Sequence, residues 1–167
     1  MNNTDISNLI IALLNRLNII DVCLSPGARN SPLINAFSKT DICMHSILDE
    51  RAAGFYALGL AKATQKSVAI SCTSGTALAN LFPAIIEARM SEIPMIILTA
   101  DRPKRLINTG ENQTIFQNNL YGTYVLNTLN VECSKSKIDL ILKDVNRLYN
   151  ECLGIKENQL LSEKGPV

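Results

Sequence analysis

Four short polar clusters in this chain each follow directly on an apolar run. They are Ser25-Pro26-Gly27-Ala28-Arg29-Asn30-Ser31, Asp49-Glu50-Arg51, Thr73-Ser74-Gly75-Thr76 and Thr99-Ala100-Asp101-Arg102-Pro103. Together they offer a pair of carboxylates, two well-placed arginines, several hydroxyls and the backbone N–H groups that open helices. Helix starts attract anions, and a guanidinium grips a carboxylate through two parallel hydrogen bonds. The chemistry this set suits is a polar site for a small anionic ligand. Three of the clusters also have a simpler reading. Asp49 and Glu50 at a helix start stabilise its dipole by about 0.3–1 kcal/mol. Ser74-Gly75-Thr76 makes a turn and a cap, and Asp101-Arg102-Pro103 makes a surface ion pair and a turn. What favours a shared site is that all four occupy the same place relative to the run before them. No G-x-G-x-x-G, G-x-x-x-x-G-K-[ST], H-E-x-x-H or G-x-S-x-G motif occurs, so the usual nucleotide loops and nucleophilic hydrolysis lose support.

The elements that must position these clusters alternate in type. Ile6, Leu9, Ile10, Leu13, Leu14 and Leu17 recur at helical spacing, with Thr4 or Asp5 as the expected N-cap. Residues 19–24 read as a strand, 31–38 as a helix opened by Ser31-Pro32, 42–47 as a strand and 50–64 as a helix apolar on nearly every side. Residues 67–72 read as a strand and 76–90 as a helix, in which Pro83 should produce a kink or mark the true start. A strand over 94–98, a polar loop over 100–122, a strand over 127–133 and an amphipathic helix over 137–152 complete the pattern, and Ser162 to Val167 stops where a further strand could begin. The strands are continuous apolar runs separated by helices. That predicts an α/β fold with a central, mostly parallel sheet covered on both faces, a three-layer α/β/α arrangement. In such sheets ligands bind beyond the carboxyl ends of the strands, so the four clusters should converge on one rim.

Composition narrows the function classes. The chain has 167 residues, 47% of them hydrophobic and 19% charged, and a net charge of +1 from 16 basic and 15 acidic side chains. This is the balance of one globular domain, and no basic block points to nucleic acid. No apolar run approaches the ~18 residues of a membrane span, and the N-terminus lacks the pattern of a signal peptide. The five cysteines, Cys23, Cys43, Cys72, Cys133 and Cys152, form no C-x-x-C pair. They read as free thiols of a reducing, cytoplasmic compartment. The single histidine, His45, reads as a packed side chain, and no metal ligand set is expected from it and these cysteines.

The clusters also carry a resemblance. Cys23-Leu24-Ser25-Pro26-Gly27-Ala28-Arg29-Asn30-Ser31-Pro32-Leu33 is followed by His45-Ser46-Ile47-Leu48-Asp49-Glu50-Arg51-Ala52-Ala53-Gly54-Phe55 and Ala57-Leu58-Gly59-Leu60-Ala61. Next come Thr73-Ser74-Gly75-Thr76-Ala77, Asn80-Leu81-Phe82-Pro83-Ala84, Leu98-Thr99-Ala100-Asp101-Arg102-Pro103 and Gly110-Glu111-Asn112-Gln113. In this order, between about Val22 and Tyr121, the chain resembles the thiamine-diphosphate-dependent synthases of the menaquinone pathway. The Glu50 region and the Thr-Ser-Gly-Thr loop are common to many thiamine-diphosphate enzymes; the Thr-Ala-Asp-Arg-Pro and Asn-Gln segments narrow the likeness to these synthases. One departure is Ala28, where the family often carries a serine.

The resemblance implies a fold of the pyrimidine-binding type, with residues 1–167 as a single domain of a longer multidomain chain. It implies that Glu50 is the catalytic residue, bonding N1′ of the cofactor's aminopyrimidine, and that Ser25, Pro26, Thr73, Ser74 and Gly75 line the cofactor. Arg29, Arg102 and Gln113 become substrate-binding positions. The implied reaction is decarboxylation of 2-oxoglutarate and addition of the succinyl-semialdehyde carbanion to isochorismate, a transferase step of menaquinone biosynthesis. The diphosphate and its Mg²⁺ (or Mn²⁺) would be held by a C-terminal domain with a Gly-Asp-Gly motif, which this sequence lacks, and active sites would form between the subunits of a dimer or tetramer. By itself the chain would then be inactive. Two other readings stay open: the short subunit of a two-chain thiamine-diphosphate 2-oxo-acid decarboxylase, and a non-catalytic α/β binding module.

Overall fold

The first helix is fixed by a reciprocal cap. Asn2 Oδ1 accepts from the Asp5 N–H at 2.9 Å, and Asp5 Oδ2 accepts from the Asn2 N–H at 3.0 Å. This closes a capping box, so α1 runs Asn3–Arg16 with Asn2 as its N-cap. The expected caps were Thr4 or Asp5; Asp5 instead supplies the box's second half, one turn inside the helix. The computed structural model describes residues 2–132, 138–156, 159–160 and 164–167.

After α1 the chain alternates as the apolar pattern predicts. β1 is Asp21–Leu24, α2 Ser31–Phe37, β2 Cys43–Ser46, α3 Glu50–Thr64, β3 Val68–Cys72, α4 Thr76–Met90 and β4 Met95–Thr99. A short 3-10 turn, Lys104–Leu106, lies in the long loop after β4, and a second, Gly122–Tyr124, follows it; then come α5, Ile138–Cys152, and a small antiparallel pair, β5 (Ile155–Lys156) with β6 (Gln159–Leu160). The central sheet has the order β2-β1-β3-β4, and all three pairings are parallel.

Two cores cover the sheet's two faces. Cys23, Val68, Ile70, Cys72 and Met95 pack with Ala53, Ala57, Leu78, Leu81 and Ile85 of α3 and α4. Val22, Leu24, Ala69 and Ile96 pack with Ile11, Leu14, Phe37, Ile141 and Val145 of α1, α2 and α5. The alternation of adjacent strand residues between these cores is the period-2 geometry of a strand buried on both sides. The architecture is thus the expected three-layer α/β/α sandwich around a parallel sheet.

Three sequence readings are refined. α4 begins at Thr76 and continues through Pro83 to Met90, so Pro83 does not mark its start. The exposed proline sits opposite a buried stripe, Leu78, Leu81, Ala84, Ile85 and Ala88, that holds both halves of the helix to the sheet. The strand expected over 127–133 is not formed over 127–132; Cys133 and Lys137 lie outside the described residues. Asn127 there turns its side chain onto the Thr128 N–H (2.8 Å) and onto Glu151 (3.0 Å), local bonding that competes with a ladder. The place beside β4 goes to Val167, whose N–H donates to Met95 O and whose carbonyl accepts from Ile97 N–H at 2.9 and 2.7 Å. That pair of bonds is the parallel-ladder pattern around Ile96. The end of the terminal segment therefore does meet the sheet.

Candidate active site

Because the four strands are parallel, Leu24, Ser46, Cys72 and Thr99 end them on one edge, and the polar clusters open from that edge. β1 lies between β2 and β3. Its outgoing connection, α2, packs on one face, while α3, which leads to β3, packs on the other. β1 and β3 are therefore the strands at which the connections part, the position where open α/β sheets form their crevice.

Ser25 and Thr73 stand at this point. Ser25 is 1% exposed and is tied to β3 by its N–H to Ser71 O at 2.9 Å. Thr73 is 5% exposed, and neither Ser25 Oγ nor Thr73 Oγ1 has a hydrogen-bond partner. A buried hydroxyl without a partner costs about 1–3 kcal/mol, so these two oxygens are poised for a ligand or solvent group. Asn30, fully buried, donates to Ser25 O at 3.1 Å and so closes the 25–30 loop on itself. Gly27 is needed there, because a Cβ would come within 2.5 Å of Thr73 Cβ. Pro26 lies exposed on the same loop, as does Ala28, whose carbonyl accepts from Ser31 Oγ at 2.9 Å.

Glu50 is the first residue of α3, and Asp49 is its N-cap, accepting from Ala52 N–H at 2.7 Å. The two acids of this cluster therefore divide the work: Asp49 caps, and the Glu50 carboxylate is left over. It is half-buried and has no hydrogen-bond or ion-pair partner among the described residues. It lies close enough to the Cys72 thiol, at the end of β3, to help burial push that thiol's pKa up to about 12. Capping alone thus accounts for Asp49 but not for the second carboxylate.

The long loop after β4 folds back over β3's cluster. Gly75, at φ +80°, packs against the Gln113 backbone, where a Cβ would come within 2.9 Å of Gln113 Cα. Ser74 Oγ donates to Gln113 O at 2.8 Å. Gln117, 9% exposed, accepts from Gly75 N–H at 2.8 Å and donates to Ala100 O at 3.0 Å. One amide thereby joins the ends of β3 and β4. Sequence reading passed over Gln117; its signal was a glutamine four residues after Gln113 in an otherwise exposed loop, which has meaning only once the loop's path is known.

Both arginines reach this loop. Arg29 Nη1 donates to Gln113 Oε1 at 2.5 Å and Arg29 Nη2 to Asn112 O at 3.1 Å, across 84 residues of sequence. Arg102 Nη2 pairs with Glu111 Oε2 at 3.2 Å. The Nε atoms of both arginines are buried without partners. Asp101 donates nothing to this pair; its carboxylate accepts from Arg102 N–H at 2.7 Å, and burial nevertheless raises its pKa. The structure brings Arg29 and Gln113 into direct contact and sets Arg102 on the same loop through Glu111. Glu50 and Ser25 belong to the same rim but make no side-chain hydrogen bond or ion pair with that trio among the described residues.

A parallel sheet with polar clusters at the rim where its connections part, overlain by a loop that bonds to them, is the arrangement of ligand-binding α/β domains. This chain belongs to the family described as thiamine pyrophosphate enzyme, N-terminal TPP binding domain, which matches residues 4–121. Among its relatives are 2-succinyl-5-enolpyruvyl-6-hydroxy-3-cyclohexene-1-carboxylate synthases. That of Lysinibacillus sphaericus is 50% identical over 125 residues, covering 74% of this chain and 22% of its own. That of Histophilus somni is 46% identical over 129 residues (75% and 23%), and that of Shewanella frigidimarina 41% identical over 160 residues (95% and 26%). The chain spans about a quarter of the length of these relatives. The fold is shared with benzoylformate decarboxylase from Polynucleobacter necessarius, with a TM-score of 0.78 at 18% identity over 97% of this chain and 28% of that one.

Proposed function

We propose that this chain is the pyrimidine-binding domain of a longer thiamine-diphosphate-dependent synthase that makes 2-succinyl-5-enolpyruvyl-6-hydroxy-3-cyclohexene-1-carboxylate from 2-oxoglutarate and isochorismate. The observation that carries the reading is the direct contact of Arg29 with Gln113, on the same loop whose Glu111 holds Arg102. Two guanidinium groups and an amide collected on one rim suit substrates that bring carboxylates.

The residues present fit one half of the cofactor. Glu50 offers a half-buried carboxylate with no hydrogen-bond or ion-pair partner among the described residues, suited to accept a hydrogen bond from a protonated N1′, and Ser25 Oγ and Thr73 Oγ1 offer buried hydroxyls still to be satisfied. When bound, thiamine diphosphate supplies the carbanion chemistry of 2-oxo-acid decarboxylation. The work of this chain is to hold: Glu50 would keep a fixed negative charge at the aminopyrimidine, and the Ser25 and Thr73 hydroxyls would offer it hydrogen bonds. Arg29, Arg102 and Gln113 would bind the anionic substrates. The residues do not fit the other half. Magnesium takes oxygen ligands in near-octahedral array, and the one group of three candidate ligands found among the described residues contains a thiol and an imidazole. The diphosphate and Mg²⁺ are therefore assigned to another domain, and the complete protein to a self-associating cytoplasmic enzyme of menaquinone biosynthesis. No helix among the described residues is long and apolar enough to cross a membrane.

The test is to assay the complete protein that carries this domain with thiamine diphosphate and Mg²⁺. Turnover should require 2-oxoglutarate and isochorismate together. Steady decarboxylation of a different 2-oxo acid, with no use of isochorismate, would overturn the reading.

A further inference from the structure

A second cluster of chemistry-bearing side chains lies toward the opening ends of β1 and β2. The parallel register pairs Asp21 with Cys43 and Cys23 with His45. Register partners share a face, and residues two apart along a strand share it too. Asp21, Cys23, Cys43 and His45 are thereby set on one face, the one that carries α3. Cys23 is fully buried there, while Cys43 is exposed at the sheet's edge. One ligand atom from each of Asp21, Cys43 and His45 lies within 4.8 Å of the others. His45 Nε2 is 2.8 Å from Asp21 Oδ1, with side chains 24% and 14% exposed. On the far side of the ring, His45 Nδ1 is 3.5 Å from Tyr56 Oη of α3, and the two rings pack at 5.4 Å.

We propose that Asp21, Cys43 and His45 bind a zinc-class divalent cation, with a fourth position open to water. A thiolate, an imidazole and a carboxylate form a borderline-soft tetrahedral set, the kind that selects zinc over magnesium or calcium. Zinc bonds of about 2.0–2.3 Å place tetrahedral ligand atoms about 3.3–3.6 Å apart. The Asp21–His45 separation needs to open a little and the wider ones to close, movements within the reach of side-chain torsions. Tyr56 supplies the partner on the other ring nitrogen that orients ligating histidines in metal sites. An ion pair between Asp21 and His45 alone would explain two of these residues and would have no use for Cys43.

The cation's place suggests its effect. β2 is an edge strand whose four residues are all exposed or half-buried, and among the described residues its ladder is with β1 alone. Ligands from both strands would tie that edge down. Sequence spacing hides the set: a lone histidine and cysteines without C-x-x-C spacing suggest no metal, and the third ligand comes from another strand more than twenty residues earlier. The site is separate from the rim holding Ser25 and Glu50, so the proposal stands or falls independently of the proposed function.

The test uses the full chain, reduced and stripped of metal, titrated with Zn²⁺ alone and in parallel with Co²⁺. We expect one equivalent bound per chain, a cobalt–thiolate charge-transfer band, and a thermal midpoint raised by zinc. Cys43→Ser, at an exposed position, should preserve the fold by circular dichroism, remove the band and weaken binding at least tenfold. His45→Gln should weaken it similarly. Absence of stoichiometric uptake, or uptake undiminished in Cys43→Ser, would overturn the proposal.

Discussion

Gln117 makes two hydrogen bonds, accepting from Gly75 N–H and donating to Ala100 O. Gln117→Ala leaves a buried donor unpaired and should cost about 1–3 kcal/mol, read as a lower urea midpoint with unchanged slope. Gly75→Ala combines a positive φ with a Cβ driven into the Gln113 backbone. It should cost about 1–3 kcal/mol from backbone strain alone and displace Gln113 from Arg29. Arg29→Lys keeps the charge but not the two-pronged geometry that reaches Gln113 Oε1 and Asn112 O. In the complete protein it should raise the KM for the anionic substrate about tenfold to a hundredfold, the equivalent of one charge-assisted hydrogen bond. An unchanged KM would remove Arg29 from the substrate site. At this scale the sequence was most informative where a residue's type is its function. The two arginines and the carboxylate pair could be selected without coordinates, whereas which acid caps and which is left over, Asp49 or Glu50, needed the geometry of α3.

Pro83 is the clearest conflict between local propensity and tertiary packing. A proline inside a helix costs about 3 kcal/mol or more through its missing donor and its clash with the preceding turn, yet α4 runs unbroken from Thr76 to Met90. Its buried stripe outweighs that local cost. Because Pro83 is exposed, Pro83→Ala should stabilise the chain by about 1–3 kcal/mol, measured by thermal or urea unfolding; a destabilised variant would mean the proline's shape is needed. The eight elements from α1 to β4 were legible, since strands buried on both faces give continuous apolar runs and the helices give a 3.6-residue period. Residues 127–132 misled the same reasoning. A short apolar stretch has no way to announce that its neighbour position on the sheet is filled from the far end of the chain, by Val167.

Across the whole molecule the buried thiols set a pH response. Burial pushes Cys23, Cys72 and Cys152 from 9.0 up to about 12. The folded state therefore keeps these thiols protonated where the unfolded chain would ionise them. Their contribution to stability is complete below about pH 9 and is lost as pH rises toward 12, on the order of 1 kcal/mol per pH unit for each thiol. Urea unfolding at neutral and alkaline pH should show this fall, and a thiol reagent should label Cys43 well before these three. The parallel order of the sheet was predictable from sequence and is what gathers the four clusters on one rim. The contact of Arg29 with Gln113 depends on the return path of a loop and was not. Under the proposed function, Glu50 supplies the fixed charge at the cofactor's aminopyrimidine. The most direct measurement is turnover of 2-oxoglutarate with isochorismate by the complete protein and by its Glu50→Gln variant, at saturating thiamine diphosphate and Mg²⁺. We predict a loss of about 10²–10⁴-fold in kcat, the range of a removed acid–base group, with the fold intact by circular dichroism. Turnover equal to that of the unsubstituted protein would contradict the claim.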